Sequence, residues 1–303
     1  MSGLLEFRRT SFVGAVARAA LSALLATGLS IGAGAAWGQA AAVAQVRSNS
    51  TDSEARLLPL AGAANVRSIG GLVGSRGPIP LDSFIRAADL NRLTAADRDL
   101  LAARKVALNI DLRTAEEANT APDLLAGDER FRYVRISLLG REKLDLAELP
   151  ASLGEMYVRS LADNQPQFRQ VFATMATQDE GAILFHCTAG KDRTGMVAGL
   201  LLSLAGVDRQ AIIDNYAESE RFLGSSLKTT PQMTEMLRQN PRIAALMGSP
   251  REAMDAFLAA LENRYGGANS YLKSIGLNDL EIQRLLKRLG QTASSSASVQ
   301  SSP

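Results

Sequence analysis

Ala182-Ile183-Leu184-Phe185-His186-Cys187-Thr188-Ala189-Gly190-Lys191-Asp192-Arg193-Thr194-Gly195 is the stretch from which the architecture is read. Its first four residues form an apolar run with the look of a buried strand. Beyond it Val197, Leu200, Leu201 and Leu204 recur at i, i+3, i+4 and i+7, the stripe of a buried helix. The reading is strand, tight loop, helix. A loop in that setting aims free backbone N–H groups, and the positive end of the helix dipole, at whatever occupies its bowl. Such a bowl suits an anion, and phosphate above all.

The side chains sharpen that expectation. Cys187 stands at the strand end and Arg193 six positions later, with a thiol beneath the anion and a guanidinium beside it. The thiolate is the nucleophilic form of cysteine, and a helix N-terminus with adjacent cations favours it. Lys191 and Arg193 supply the cations. The planar guanidinium of Arg193 grips two phosphate oxygens at once. Gly190 and Gly195 allow close backbone approach, and Thr194 is placed to donate its hydroxyl to the sulfur when that sulfur leaves. Thr188, Ala189, Gly190, Lys191 and Gly195 are expected to line the bound phosphate. An inert core thiol is the bland alternative, but a core position would not be followed by Lys-Asp-Arg.

This Cys-x5-Arg-Thr pattern resembles the cysteine-dependent protein tyrosine phosphatase superfamily. The Lys-Asp-Arg-Thr-Gly closure is similar to the bacterial tyrosine and lipid phosphatases of the mycobacterial secreted type. Asn65-Val66-Arg67-Ser68-Ile69-Gly70-Gly71 resembles that group's Asn-Phe-Arg-Asp-Ile-Gly-Gly opening, with Val66 and Ser68 as departures. Asp111-Leu112-Arg113, with Glu117 four residues beyond, fits its Asp-Leu-Arg-x-x-x-Glu pattern. Asp208 to Tyr216 and Glu262 to Gly267 also look like the family, so the resemblance runs over residues 60–290.

The resemblance implies an α/β fold, a central mostly parallel sheet flanked by helices, with a helical lid inserted after the phosphate loop. Residues 221–247, with Met233, Met236 and Met247, would be that lid; core-packing methionines at helical spacing are an equal reading. It also implies a phosphomonoester hydrolase acting through a cysteinyl-phosphate on phosphotyrosine proteins or phosphoinositides, with no cofactor. A lysine at position 191 is shared with phosphoinositide phosphatases, where an extra cation suits multiply phosphorylated head groups. Conventional tyrosine phosphatases draw their general acid from a Trp-Pro-Asp loop, but the single tryptophan here is Trp37. The resemblance therefore points to Asp192 as the acid, and Asp111 is second. A rhodanese-type sulfurtransferase and an inactive phosphate-binding module are the competing classes. The Arg-Thr-Gly closure and the two candidate acids weigh against them.

Residues 1–40 read as an export signal: Arg8 and Arg9, an apolar stretch from Phe12 to Ala36, then small residues such as Gly38-Gln39-Ala40. Gly28, Gly32 and Gly34 make that stretch a poor permanent membrane anchor. A periplasmic or secreted location follows. Residues 41–53 look like a linker, 54–290 like one phosphatase domain, and the Ser-rich 291–303 like a disordered tail. The chain holds 33 Lys and Arg against 31 Asp and Glu; removing Arg8, Arg9, Arg18 and Glu6 leaves 30 of each. No global basic field remains to attract nucleic acid. One cysteine and one histidine, adjacent in sequence, cannot furnish the ligands of a zinc site. His186 is better read as a strand-end residue that hydrogen-bonds the loop.

The spacing predicts a helix over Thr94 to Ala103 with Thr94 as N-cap, and a central strand over Val106 to Ile110. That strand delivers Asp111 and Arg113 to its C-terminal end, where sites in α/β sheets lie. The pair reads equally as a structural ion pair or as part of the site. Phe131 to Leu138 alternates as a strand. Helices are expected over 155–161, 167–175, 227–239, 250–264 and 270–274, one starting at Val207-Asp208, and one over 278–289 with an Asn278/Glu281 capping box.

Overall fold

The apolar run becomes β7 (Ala182–His186), every residue of it buried, in the middle of a five-stranded sheet. The structure is a computed structural model, and residues 54–139, 150–224, 235, 238–240, 246 and 248–292 are described. On either side of β7 run β4 (Phe84–Ala87) and β5 (Val106–Asp111), both parallel to it. Beyond β5 lies the parallel β6 (Arg132–Arg135), and beyond β4 the antiparallel β1 (Arg67–Ser68). A two-stranded ribbon, β2 (Val73–Gly74) with β3 (Gly77–Pro78), stands apart from the sheet. Ala87 and Asp111 both stand level with His186 in the ladder. Three strand ends thus open on one edge, where an α/β sheet places its ligands.

Alternation along β7 divides the core. Ile183 and Phe185 enter the larger hydrophobic cluster, whereas Ala182 and Leu184 join the smaller one with Ile85, Leu101, Val106 and Phe131. This is the period-two display of a strand with both faces covered. On the smaller face lies α1 (Ala95–Ala103), started by the expected Thr94 cap with Asp97 closing a capping box. After β5 comes the short α2 (Ala115–Thr120). The larger face carries α3 (Leu153–Asp163) and α4 (Gln165–Ala176), which meet at Asn164. Pro166 sits in the first turn of α4, where a missing N–H costs little.

The loop helix is α5 (Asp192–Leu204), buried along most of its length. It is followed by α6 (Arg209–Leu223), α7 (Arg251–Tyr265), α8 (Ala268–Ser274) and α9 (Asp279–Arg288). Asp208 caps α6, and Asn278 with Glu281 forms the expected box on α9. The helix α7 lies against α3, α5 and α6.

Three differences from the sequence reading stand out. The strand expected over 131–138 pairs only from Arg132 to Arg135, because β6 is a sheet edge that the chain leaves early. Arg221 to Leu223 are the last turn of α6 rather than the start of an insertion. Gln291, assigned to the tail by composition, is buried, and its side chain accepts from Arg76 N at 2.7 Å and donates to Gly77 O at 3.1 Å. The export signal, the linker, the helix over 227–239 and most of the 221–247 segment, Met233, Met236 and Met247 included, lie outside the described residues. No helix among the described residues is long and apolar enough to cross a membrane.

Candidate active site

Between β7 and α5 the chain turns through Cys187 to Lys191, and Cys187 is 1% exposed at the bottom of the turn. Gly190 adopts φ +64, and a Cβ there would stand 2.2 Å from the carbonyl oxygen of Ala87. Only glycine fits. The loop carbonyls are held from behind: Asn65 Nδ2 donates to Ala189 O and to Gly190 O, each at 3.0 Å, and an Arg86 Nη donates to Gly190 O at 2.8 Å. Arg86 is fully buried, and burial pushes its guanidinium down to about 10. Arg67 in turn grips the Asn65 side-chain oxygen and Asn215 O. With the carbonyls pinned outward, the amides are left to face the bowl. Lys191, the N-cap of α5, contributes no side-chain cap, so the first turn also keeps its N–H groups for a guest.

Arg193 rises from the first turn of α5 and meets Glu117 through two parallel hydrogen bonds of 2.5 and 2.7 Å. The Thr188 hydroxyl donates to the same carboxylate at 2.6 Å and accepts from Arg193 at 3.3 Å. Burial works to raise the Glu117 carboxyl, but the bonds and charge of Arg193 outweigh it and hold it at about 2. Glu117 is itself aimed by local chemistry. It is the N3 residue of α2, and its carboxylate accepts the Thr114 N–H at 2.9 Å while the Thr114 hydroxyl accepts the Glu117 N–H.

Asp192, the first residue of α5, opens on a cavity of about 690 Å³ together with Asp89, Arg113, Thr188 and Arg193. Leu139, Leu153, Met156 and Leu246 give that cavity an apolar wall. The Tyr157 hydroxyl donates to Asp192 Oδ1 at 2.5 Å and lies 2.8 Å from the Tyr216 hydroxyl. Asp89 is partly buried, and burial pushes its carboxyl up against the opposing charge of Arg113. A second cavity, about 720 Å³, lies at the opposite ends of the strands beside Asp82, Lys105 and Arg288, away from Cys187.

Behind the loop, Asp111 and Arg113 form a buried bidentate pair, with bonds of 2.9 and 2.7 Å. Tyr133 donates to Asp111 at 3.0 Å, and Arg113 also donates to Ala121 O at 2.8 Å. His186 lies with Nε2 2.8 Å from Asp123 and Nδ1 3.3 Å from Cys187 O. Asp111, Asp123 and His186 bring ligand-type atoms within 4.8 Å of one another. Arg113 takes both Asp111 oxygens, while His186 and Asn109 take one of Asp123, so the set is satisfied internally. Burial would raise both aspartates; Arg113 and His186 respectively hold them below the usual carboxylate range.

The model of the tyrosine phosphatase family matches residues 58–291 of this chain. The chain belongs to that family. A tyrosine-protein phosphatase of Nostoc commune is 52% identical over 226 residues, 70% of this chain and 76% of its own length. The triple specificity protein phosphatase PtpB of Mycobacterium tuberculosis is 24% identical over 75% of this chain and 96% of its own. The crystal structure of P. aeruginosa TpbA, 16% identical, covers 57% of this chain and 86% of its own at a TM-score of 0.26, too low to bear on the fold.

Within this phosphatase the loop residues expected from sequence do not all face the bowl. The Lys191 ammonium turns to the carbonyls of Leu246 and Gly248 and lies 3.4 Å from Asp192 Oδ1, so the residue is 6% exposed. Gly195 lies inside α5, where a Cβ would stand 3.0 Å from the Tyr216 ring. The Thr194 hydroxyl is buried and meets no hydrogen-bond partner among the described residues. Four residues that hold the loop or its side chains have no role in the sequence reading: Asn65, Arg86, Tyr157 and Glu117. Asn65 and Glu117 do stand in the two family-like motifs quoted above, and Glu117 is also N3 of the Thr114 capping box.

Proposed function

We propose that the protein removes phosphate from phosphotyrosine residues through a cysteinyl-phosphate on Cys187. The observation that supports this most is the loop itself: a buried thiol under a turn whose Thr188, Ala189 and Gly190 carbonyls each accept from a residue outside the loop, beside a guanidinium already held in a fork. In the first step the Cys187 thiolate attacks phosphorus and the P–O bond to the leaving group breaks. Arg193 and the loop amides, including those of Thr188 and Ala189, hold the equatorial oxygens as charge develops on them. Asp192 gives its proton to the leaving oxygen. In the second step water attacks phosphorus, its proton passes to Asp192, the P–S bond breaks, and thiolate and inorganic phosphate result.

Asp192 is the better acid because it opens on the cavity, whereas Asp111 is 0% exposed with both oxygens taken by Arg113. Asp111 then serves to hold Arg113 at the cavity edge. The apolar wall of Leu153, Met156 and Leu246 suits an aromatic ring. Phosphoinositide turnover rested on Lys191 as a further cation for the substrate, and its ammonium is turned to backbone carbonyls. Phosphotyrosine is therefore the substrate this cavity suits best. We propose also that residues 1–40 direct export, so that the mature enzyme acts in the periplasm or outside the cell; N-terminal sequencing of protein from those fractions tests it.

The first experiment is phosphate release from a phosphotyrosine peptide, a phosphoserine peptide and a phosphoinositide, with Cys187→Ser in parallel. Turnover of the phosphotyrosine peptide that vanishes in Cys187→Ser is the expected result. A phosphoinositide turned over faster than the peptide would overturn the substrate assignment. No release from any of them by protein with a reduced thiol would leave a binding module.

A further inference from the structure

Asp192 is gripped on one side only. Its Oδ1 accepts the Tyr157 hydroxyl at 2.5 Å and faces Lys191 Nζ at 3.4 Å, and among the described residues no hydrogen bond reaches Oδ2. We propose that Tyr157, backed by Tyr216, is the positioning residue for the general acid, fixing Oδ1 so that Oδ2 carries the proton into the cavity. This rests on the reading of Asp192 as that acid.

The two hydroxyls come from different helices, Tyr157 from α3 and Tyr216 from α6, and converge on the first turn of a third, α5. Tyr157 is 0% and Tyr216 1% exposed, so neither is a chance surface contact. Their rings meet edge to face at 5.9 Å, and Tyr157 also packs edge-on to Phe257 at 6.4 Å. Such packing locks a rotamer. Gly195 makes the convergence possible, because a side chain there would meet the Tyr216 ring. Burial, and after it the charge of Asp192, push the Tyr157 phenol well above its usual range, which leaves it the donor in this bond.

The chemistry uses that bond twice. As the proton moves from Oδ2 to the leaving oxygen, the charge left behind spreads onto Oδ1, and the Tyr157 bond becomes charge-assisted and stronger. When water attacks the cysteinyl-phosphate, its proton returns to Oδ2 and the bond relaxes. Tyr157 itself neither gains nor loses a proton.

The test is Tyr157→Phe, which keeps the ring and removes the hydroxyl, measured beside Asp192→Asn on aryl phosphates of graded leaving-group acidity. Leaving groups that depart as stable anions need no acid. In kcat/KM, which reports formation of the cysteinyl-phosphate and not its hydrolysis, Tyr157→Phe should then stay within about threefold of wild type on the most acidic phenol and lose roughly 10- to 100-fold on phosphotyrosine, part of the 10²–10⁴ that acid–base help supplies. The double variant should be no slower than Asp192→Asn alone, because the two act as one unit. If Asp192→Asn loses kcat/KM equally on every leaving group, Asp192 is not the acid and the reading beneath this inference fails. If Asp192→Asn shows the graded loss but Tyr157→Phe loses rate uniformly or not at all, the positioning role alone is overturned.

Discussion

A single glycine decides whether the phosphate loop can exist. At φ +64 an L-residue carries about 1–2 kcal/mol of steric cost, and at Gly190 the added carbon would also strike Ala87 O at 2.2 Å. The colliding atom is backbone of the central sheet and has nowhere to go. Gly190→Ala should therefore lower the unfolding free energy by about 2 kcal/mol or more and abolish turnover, because relief must come from the loop. Denaturant midpoints with parallel kinetics check both parts; an active, equally stable alanine variant would refute this account. At this scale the sequence was readable where chemistry is contiguous: Cys187, Asp192 and Arg193 share one loop. It was not readable where partners are remote. Asn65 stands 124 residues from Ala189, Arg86 104 from Gly190, Glu117 76 from Arg193 and Tyr157 35 from Asp192.

Elements carry these remote partners to the loop, and β4 does so most directly. Its Arg86 lies wholly inside the protein, donating to Gly190 O, to Asn215 Oδ1 at 3.0 Å and to Ser219 Oγ at 3.3 Å. Periodicity announced the strands β5 and β7 and the helices α1 and α9, because apolar spacing and caps are local. It could not announce that β4 pairs with β7 across nearly 100 residues and so brings an arginine under the loop. Removing Arg86 relieves the desolvation of a buried cation but takes the donor from Asn215 Oδ1, and a buried acceptor left unpaired costs about 1–3 kcal/mol. Arg86→Met should therefore fold, with its unfolding free energy lowered by about 1–3 kcal/mol, since Asn65 still holds Gly190 O. Its turnover should fall at least about tenfold, as the carbonyl regains freedom to turn toward the phosphate and oppose its charge. Calorimetry with steady-state kinetics separates the two effects. Activity that falls only in step with stability would reduce Arg86 to a core residue.

Over the whole molecule, the site is tied to stability through buried carboxylates. Asp111, Asp123 and Glu117 each hold a cation or imidazole against the strand ends, and each is kept below its ordinary value by that partner. A carboxyl whose folded value is depressed contributes stability that is complete above the unfolded value and disappears as pH falls through the folded one. For Glu117 that window runs from 4.5 down to about 2, and the two aspartates begin to contribute their losses below 3.8. Protonating Asp111 also leaves the Arg113 guanidinium buried beside a neutral partner, a costly arrangement. The enzyme should therefore keep a flat stability from neutral pH to about 5 and then unfold cooperatively in acid, the loss concentrated between about 4.5 and 2. Far-UV circular dichroism at graded pH follows the transition, and Glu117→Gln gives the internal control. The glutamine keeps an acceptor for the Thr114 N–H yet cannot titrate, so its curve should start lower at neutral pH and fall less steeply through the same window. If the wild type and Glu117→Gln lost stability in parallel down to pH 2, the fork between Arg193 and Glu117 would carry no weight in the fold, and its purpose would be to aim the guanidinium alone.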